Sequence, residues 1–148
     1  MNYYFYNNVT RPRVISNSFS DDSDTISFDL RSVYIVPSLI SLIRVNTYHR
    51  TPGDQSVVIQ DRIKFSSPTT YEFGIPSRNG VWTELSFSSN ILNGKFTVGE
   101  TSLNVRVQAT NPFMHNAVTK TINGVTYTRL GISFLNPILE DIITVTFN

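Results

Sequence analysis

From residue 103 to residue 109 apolar and polar residues alternate without a break. Leu103, Val105, Val107 and Ala109 fall on one side, and Asn104, Arg106 and Gln108 on the other. Successive side chains of an extended strand point to opposite faces, so this segment predicts a strand with one face in a core. Residues 25–30 read the same way, with Ile26, Phe28 and Leu30 in phase, as do residues 57–65, with Val57, Ile59, Ile63 and Phe65 in phase. Asp61 falls on that second apolar face, which predicts a bulge or a buried polar contact. Residues 33–36 are a short apolar run ended by Pro37, and residues 69–75 a short run closed by Gly74 and Pro76; both read as strands. Residues 39–45 are ambiguous: Leu39, Leu42 and Ile43 have helical spacing, but Ile40, Ile43 and Val45 are β-branched, which favours a strand. Ile143, Val145 and Phe147 share a face of a last strand.

Turn chemistry divides these runs. Asn93-Gly94 and Asn123-Gly124 each lie between alternating segments, and Asn-Gly accommodates the positive φ angles of a two-residue hairpin turn. The first predicts a hairpin over residues 81–98 that places Ile91 opposite Phe96, with Leu85, Phe87, Ile91, Phe96 and Val98 on an inner face. The second, over residues 117–129, pairs Ile122 with Val125, Thr121 with Thr126 and Thr119 with Thr128. This makes a threonine ladder on an outer face, opposite Val118, Ile122, Val125 and Tyr127. After Arg129 the apolar phase moves to Leu130, Ile132 and Phe134, which predicts a bulge at Gly131. Residues 51–54 and 77–80 read as turns, and Glu140-Asp141 as a loop before the last strand.

Many strands at regular spacing, with at most one short helix, define an all-β chain. The expected architecture is an antiparallel β-sandwich, a single jelly roll of about eight strands, with an immunoglobulin-like sandwich as the alternative. Residues 1–13, with Tyr3, Tyr4, Phe5 and Tyr6 ahead of Arg11 and Arg13, read as an extended arm or a first strand, and residues 14–148 as one domain.

Composition changes this picture at one point. Hydrophobic residues make up 40% of the 148, enough for a proper core, but charged residues are only 16%. Ordinary domains carry roughly 25%. Ser, Thr and Asn fill the difference, and their hydroxyls and amides are easier to desolvate than ions, which favours association. The net charge of +1 supplies no field for nucleic acid or an anionic membrane. With no cysteine, disulfides and thiolate chemistry are excluded. The start lacks the pattern of a signal peptide, and no apolar run is long enough to span a bilayer as a helix.

Candidate chemistry is thin. His49 and His115 lack ligand spacing or a paired carboxylate. Asp21, Asp22 and Asp24 form an acidic turn without the glycine and terminal glutamate of a calcium loop. Glu72 and Glu84 could be imagined as a glycosidase pair, with no specificity in the pattern. No nucleophile elbow or phosphate-binding glycine pattern occurs. No catalytic residue, metal site or cofactor is expected.

Two functions follow. The first is a structural, self-assembling subunit of a larger particle such as a virion (capsid, vertex, or phage collar, baseplate or fibre), located with that particle or otherwise soluble. Its partners are copies of itself and neighbouring structural proteins, and its contacts are Tyr3, Tyr4, Phe5, Tyr6, Arg11 and Arg13. The second is a carbohydrate-binding module that offers Trp82 or Tyr71, with Tyr34, Tyr48 and Tyr127, as a platform for a glycan.

Overall fold

The computed structural model describes residues 11–148. In chain order its strands are β1 (Arg13–Phe19), β2 (Ser23–Asp29), β3 (Leu39–His49), β4 (Val57–Thr69), β5 (Glu72–Arg78), β6 (Gly80–Ser88), β7 (Ile91–Val98), β8 (Thr101–Ala109), β9 (Phe113–Ile122), β10 (Val125–Phe134) and β11 (Ile138–Phe147). They form two antiparallel sheets: eight strands in the order β1-β2-β3-β4-β11-β8-β7-β6, and three in the order β5-β10-β9. This is the expected β-sandwich, with more strands and a more unequal division than a single jelly roll suggests.

The core lies between the sheets. Phe73, Phe113, Leu130, Ile132 and Phe134 from the small sheet meet Leu42, Ile63, Leu92, Val107, Ile143 and Val145 from the large one. The row Val105, Val107, Ala109 is buried as its alternation requires, and Leu103 at its outer end is exposed. β3 is a strand throughout, so its β-branched residues prevail over the helical spacing.

The chain changes sheet at four places, from β4 to β5, β5 to β6, β8 to β9 and β10 to β11. The β5–β6 corner is a single residue, Asn79, at φ 57°. Asparagine tolerates this left-handed conformation, and the Asn79 N–H donates to the Thr126 carbonyl at 2.7 Å. The β8–β9 corner is held by Asp141, which is buried in β11. Its carboxylate accepts from the N–H groups of Thr110 (3.0 Å) and Asn111 (2.8 Å) and from Asn111 Nδ2 (2.6 Å). Glu140 and Asp141 are therefore strand residues, not a loop.

Three other expectations change. Residues 33–36 do not form a strand. Asp29 Oδ1 accepts from the Arg31 N–H, starting a 3-10 turn over Arg31–Val33 that buries Val33. Asn93-Gly94 is not a turn but lies inside β7, opposite Arg106 and Val105. The turns flanking β7 are at Ser89-Asn90, with Ser89 at φ 45°, and at Gly99-Glu100, with Gly99 at φ 60°. Leu92, not Ile91, takes the core position, and Trp82, not Ile91, faces Phe96. The glycine serves close packing: a Cβ at Gly94 would stand 2.6 Å from Leu85 Cδ2. Leu85 reaches that spot because β6 is bulged between Thr83 and Ser86, with Glu84 at φ 53°.

The Asn123-Gly124 hairpin forms as expected, with φ 50° and 76° and with Ile122↔Val125, Thr121↔Thr126 and Thr119↔Thr128 paired. Its register runs without a shift to Phe134↔Phe113, so there is no bulge at Gly131. The threonines continue the inward row of Leu130, Ile132 and Phe134, and Thr128 is buried. Val118, Ile122 and Tyr127 are the solvent face instead, which reverses the expected inside and outside of this hairpin.

Candidate functional site

Two surfaces of the small sheet carry chemistry, one on each face. On the inner face, beyond the end of the core, β6 diverges from β9 and β10 and leaves a cleft of about 380 Å³. Its walls are Trp82, Thr119, Thr126 and Thr128, with Asn79 and Gly80 at the corner. The indole rests on Phe96, with ring centroids 4.7 Å apart. Gly80 is required below them, because a Cβ there would fall 1.9 Å from the Phe96 ring. Trp82 Nε1 is buried with no hydrogen-bond partner. The hydroxyls of Thr119 and Thr128 pair at 3.3 Å, and those of Thr121 and Thr126 at 3.3 Å. A hydroxyl has one donor and two acceptor positions, so each pair keeps capacity for a ligand.

On the outer face a broader groove of about 700 Å³ is lined by Glu72, Pro76, Val118, Lys120, Tyr127 and Arg129, among others. Arg129 is ion-paired with Glu72, and Ser133 Oγ donates to the other Glu72 oxygen at 3.1 Å.

The sequence candidates are scattered. Tyr3, Tyr4, Phe5 and Tyr6 lie outside the described residues. Arg11 is exposed, and Arg13 opens β1 with its guanidinium 3.5 Å from Asp29. Trp82 lines the inner cleft, but Tyr71 does not join it. Tyr71 packs on the core between Phe65 and Phe134, with centroids 6.3 Å from each. Burial, and then the nearby Asp61 charge, push its hydroxyl pKa well above the ordinary tyrosine value. A platform built from Trp82 and Tyr71 together is thus not formed. Tyr127 belongs to the outer groove. Glu72 and Glu84 are engaged separately, by Arg129 and Lys95, and do not face each other as a pair. Asp24 pairs with Arg50, which also donates to the Asp21 and Ser20 carbonyls, so the acidic turn is a structural junction.

Asp61 has no exposed surface and meets the expectation of a buried polar contact. Arg44, directly across from it on β3, donates Nε and Nη2 to its two carboxylate oxygens, both at 2.7 Å. The guanidinium lies 5.6 Å from the Phe73 ring centre. The hydrogen bonds to Asp61 raise the Arg44 pKa despite partial burial. The pair links neighbouring strands of the large sheet, and the guanidinium's contact with Phe73 ties it to the small sheet. Among the described residues, no helix is long and apolar enough to cross a membrane.

No family model and no curated relative matches the chain. Solved structures do. The chain is similar to the heparinase III BT4657 gene product, with TM-score 0.59 and 16% identity, covering 95% of this chain and 22% of that one. It is also similar to the heparan sulfate lyase HepC from Pedobacter heparinus, with TM-score 0.53 and 12% identity, again over 95% and 22%. The likeness is one of fold, and the chain spans about a fifth of the length of those proteins.

Proposed function

We propose that this chain is a carbohydrate-binding β-sandwich module, with the inner cleft as its saccharide site. The observation that carries the reading is Trp82: an indole lining a cleft that it shares with three threonines, Asn79, Val81 and Ala117. Saccharides present apolar C–H faces edged by hydroxyls, which an aromatic ring and short polar side chains complement. The unpartnered Trp82 Nε1 gains an acceptor if a sugar oxygen reaches it. The similar proteins, named for heparinase III and a heparan sulfate lyase, add support for a carbohydrate context. The reading is of a binder and not a catalyst: Glu72 and Glu84 are both neutralised by cations.

A glycan array probed with the full chain, followed by calorimetric titration of the retained saccharides, tests this. Trp82→Ala is expected to abolish binding. Because Trp82 also packs on Phe96, Thr119→Val and Thr126→Val provide folded variants, each expected to weaken binding about tenfold. No retained saccharide, or binding indifferent to all three changes, overturns the proposal.

Self-assembly is a second reading, favoured by β1: every residue of this edge strand is exposed, including Val14, Ile15 and Phe19. The particle role in a virion gains no support from the described residues or from the similar structures. Sedimentation at micromolar concentration tests self-assembly, with an oligomer expected and a monomer excluding it.

A further inference from the structure

The outer groove has a construction of its own. Gly74 and Gly131 are cross-strand partners at its centre, so two adjacent strands carry no side chain there. A Cβ on Gly74 would stand 2.6 Å from Arg129 Nε, and one on Gly131 would stand 3.2 Å from Glu72 Oε1. The Glu72–Arg129 pair therefore lies close against bare backbone. The two side chains are 23% and 45% exposed.

Beside this floor runs a cross-strand row, Arg78–Tyr127–Lys120, on one face of three neighbouring strands. All three side chains are exposed. Neighbouring strands are about 4.8 Å apart, so the backbone positions that carry the two cations stand about 10 Å from each other, on either side of Tyr127. Among the described residues neither Arg78 nor Lys120 is ion-paired, and Glu72, the one carboxylate lining the groove, is already held by Arg129 and Ser133. The face thus combines an open groove, an exposed aromatic ring and cations in excess of anions. Its apolar members, Val118 and Tyr127, sit beside the charges.

We infer that this groove binds an acidic saccharide, with the sugar ring on Tyr127 and its carboxylate or sulfate groups on Lys120, Arg78 and Arg129. An aromatic face accepts the apolar side of a sugar, and ammonium and guanidinium groups form charge-assisted hydrogen bonds with carboxylate and sulfate oxygens. The site is separate from the Trp82 cleft, since Lys120, Tyr127 and Arg129 lie on the face of β9 and β10 opposite to Thr119, Thr126 and Thr128, and it stands if the cleft proposal fails.

The test is titration of the full chain at low salt with two matched pairs of probes: hexagalacturonate against its methyl ester, and dextran sulfate against dextran. At least one acidic probe is expected to bind, its uncharged counterpart not, with affinity falling as salt rises. Arg78→Gln with Lys120→Gln is expected to weaken that binding at least tenfold, and Tyr127→Ala to weaken it several-fold. All three positions are exposed, so the fold survives, while Arg106→Gln, at an exposed cation on β8 of the large sheet, leaves the binding unchanged. The inference is overturned if neither acidic probe binds, if the uncharged probes bind equally, if inorganic sulfate competes as well as the saccharide does, or if Arg106→Gln causes the same loss. Self-association abolished by Tyr127→Ala would likewise overturn it, by making the face an interface between copies.

Discussion

A carboxylate with no exposed surface is neutralised in this fold by one guanidinium, and the arrangement sets what substitution does there. Arg44 is 32% exposed on its side chain, while Asp61 is sealed under it. Arg44→Leu would leave Asp61 buried without a counter-charge, a change that costs about 3–5 kcal/mol in comparable sites. Loss of about 3 kcal/mol in denaturant unfolding is expected, because water can reach the vacated guanidinium position. Replacing both residues with apolar ones should recover much of it. Tyr71 offers a pH readout. Its pKa is raised in the folded state, so the native protein holds the phenolic proton at pH values where the unfolded chain has released it. The contribution is intact below the ordinary value of 10.0 and is lost as pH rises above it. Alkaline unfolding should therefore begin near pH 10, and Tyr71→Phe should move its midpoint upward. Asp61 was legible in the sequence because a charge inside an apolar phase admits few explanations. Asp141 was not, because its partners, Thr110 and Asn111, are some thirty residues away and carry no spacing signal.

Among the elements, the two Asn-Gly pairs show why a dipeptide signal divides. Glycine supplies both positive φ and the absence of a side chain, and a sequence does not say which is used. At Asn123-Gly124 it is the first, at Gly94 the second. Gly94→Ala is expected to lose no more than about 1 kcal/mol, because the atom it meets is the end of the exposed Leu85 side chain, which can swing aside. The cost should shrink when Leu85→Ala opens the space, a coupling that a double-mutant cycle measures directly. The threonine ladder was legible in its pairing but not in its facing. Val118, Ile122 and Tyr127 are apolar enough to read as the core side, yet the small sheet covers the large one only with its threonine side.

For the whole molecule, alternation and turn residues were enough to state an antiparallel sandwich, but the division into eight and three strands was not. That division depends on the four crossings, and a corner as short as Asn79 leaves no loop-length signal. The inner cleft was correspondingly hidden, since Trp82 and the threonines meet only once the chain has crossed between sheets. The same topology predicts a gradient of stability. β4, β11 and β8 lie at the centre of the large sheet and carry Ile63, Ile143, Val145 and Val107 in the core, whereas β1 is an edge with every residue exposed. Native-state hydrogen exchange should find β1 opening first, and central-strand amides exchanging only on global unfolding.

The β9–β10 hairpin also makes residue parity decide which surface a side chain joins. On β10 even positions serve the cleft and core, Thr126, Thr128, Leu130 and Ile132, while odd positions serve the groove, Tyr127, Arg129 and Gly131. Within β10 the two surfaces differ by a one-residue offset fixed by the Asn123-Gly124 turn. An insertion that slipped β10 by a single residue would turn Thr126 and Thr128 outward and bring Tyr127 and Arg129 against the core, removing the contribution of β10 to both surfaces at once while Trp82, Lys120 and Arg78 kept their places.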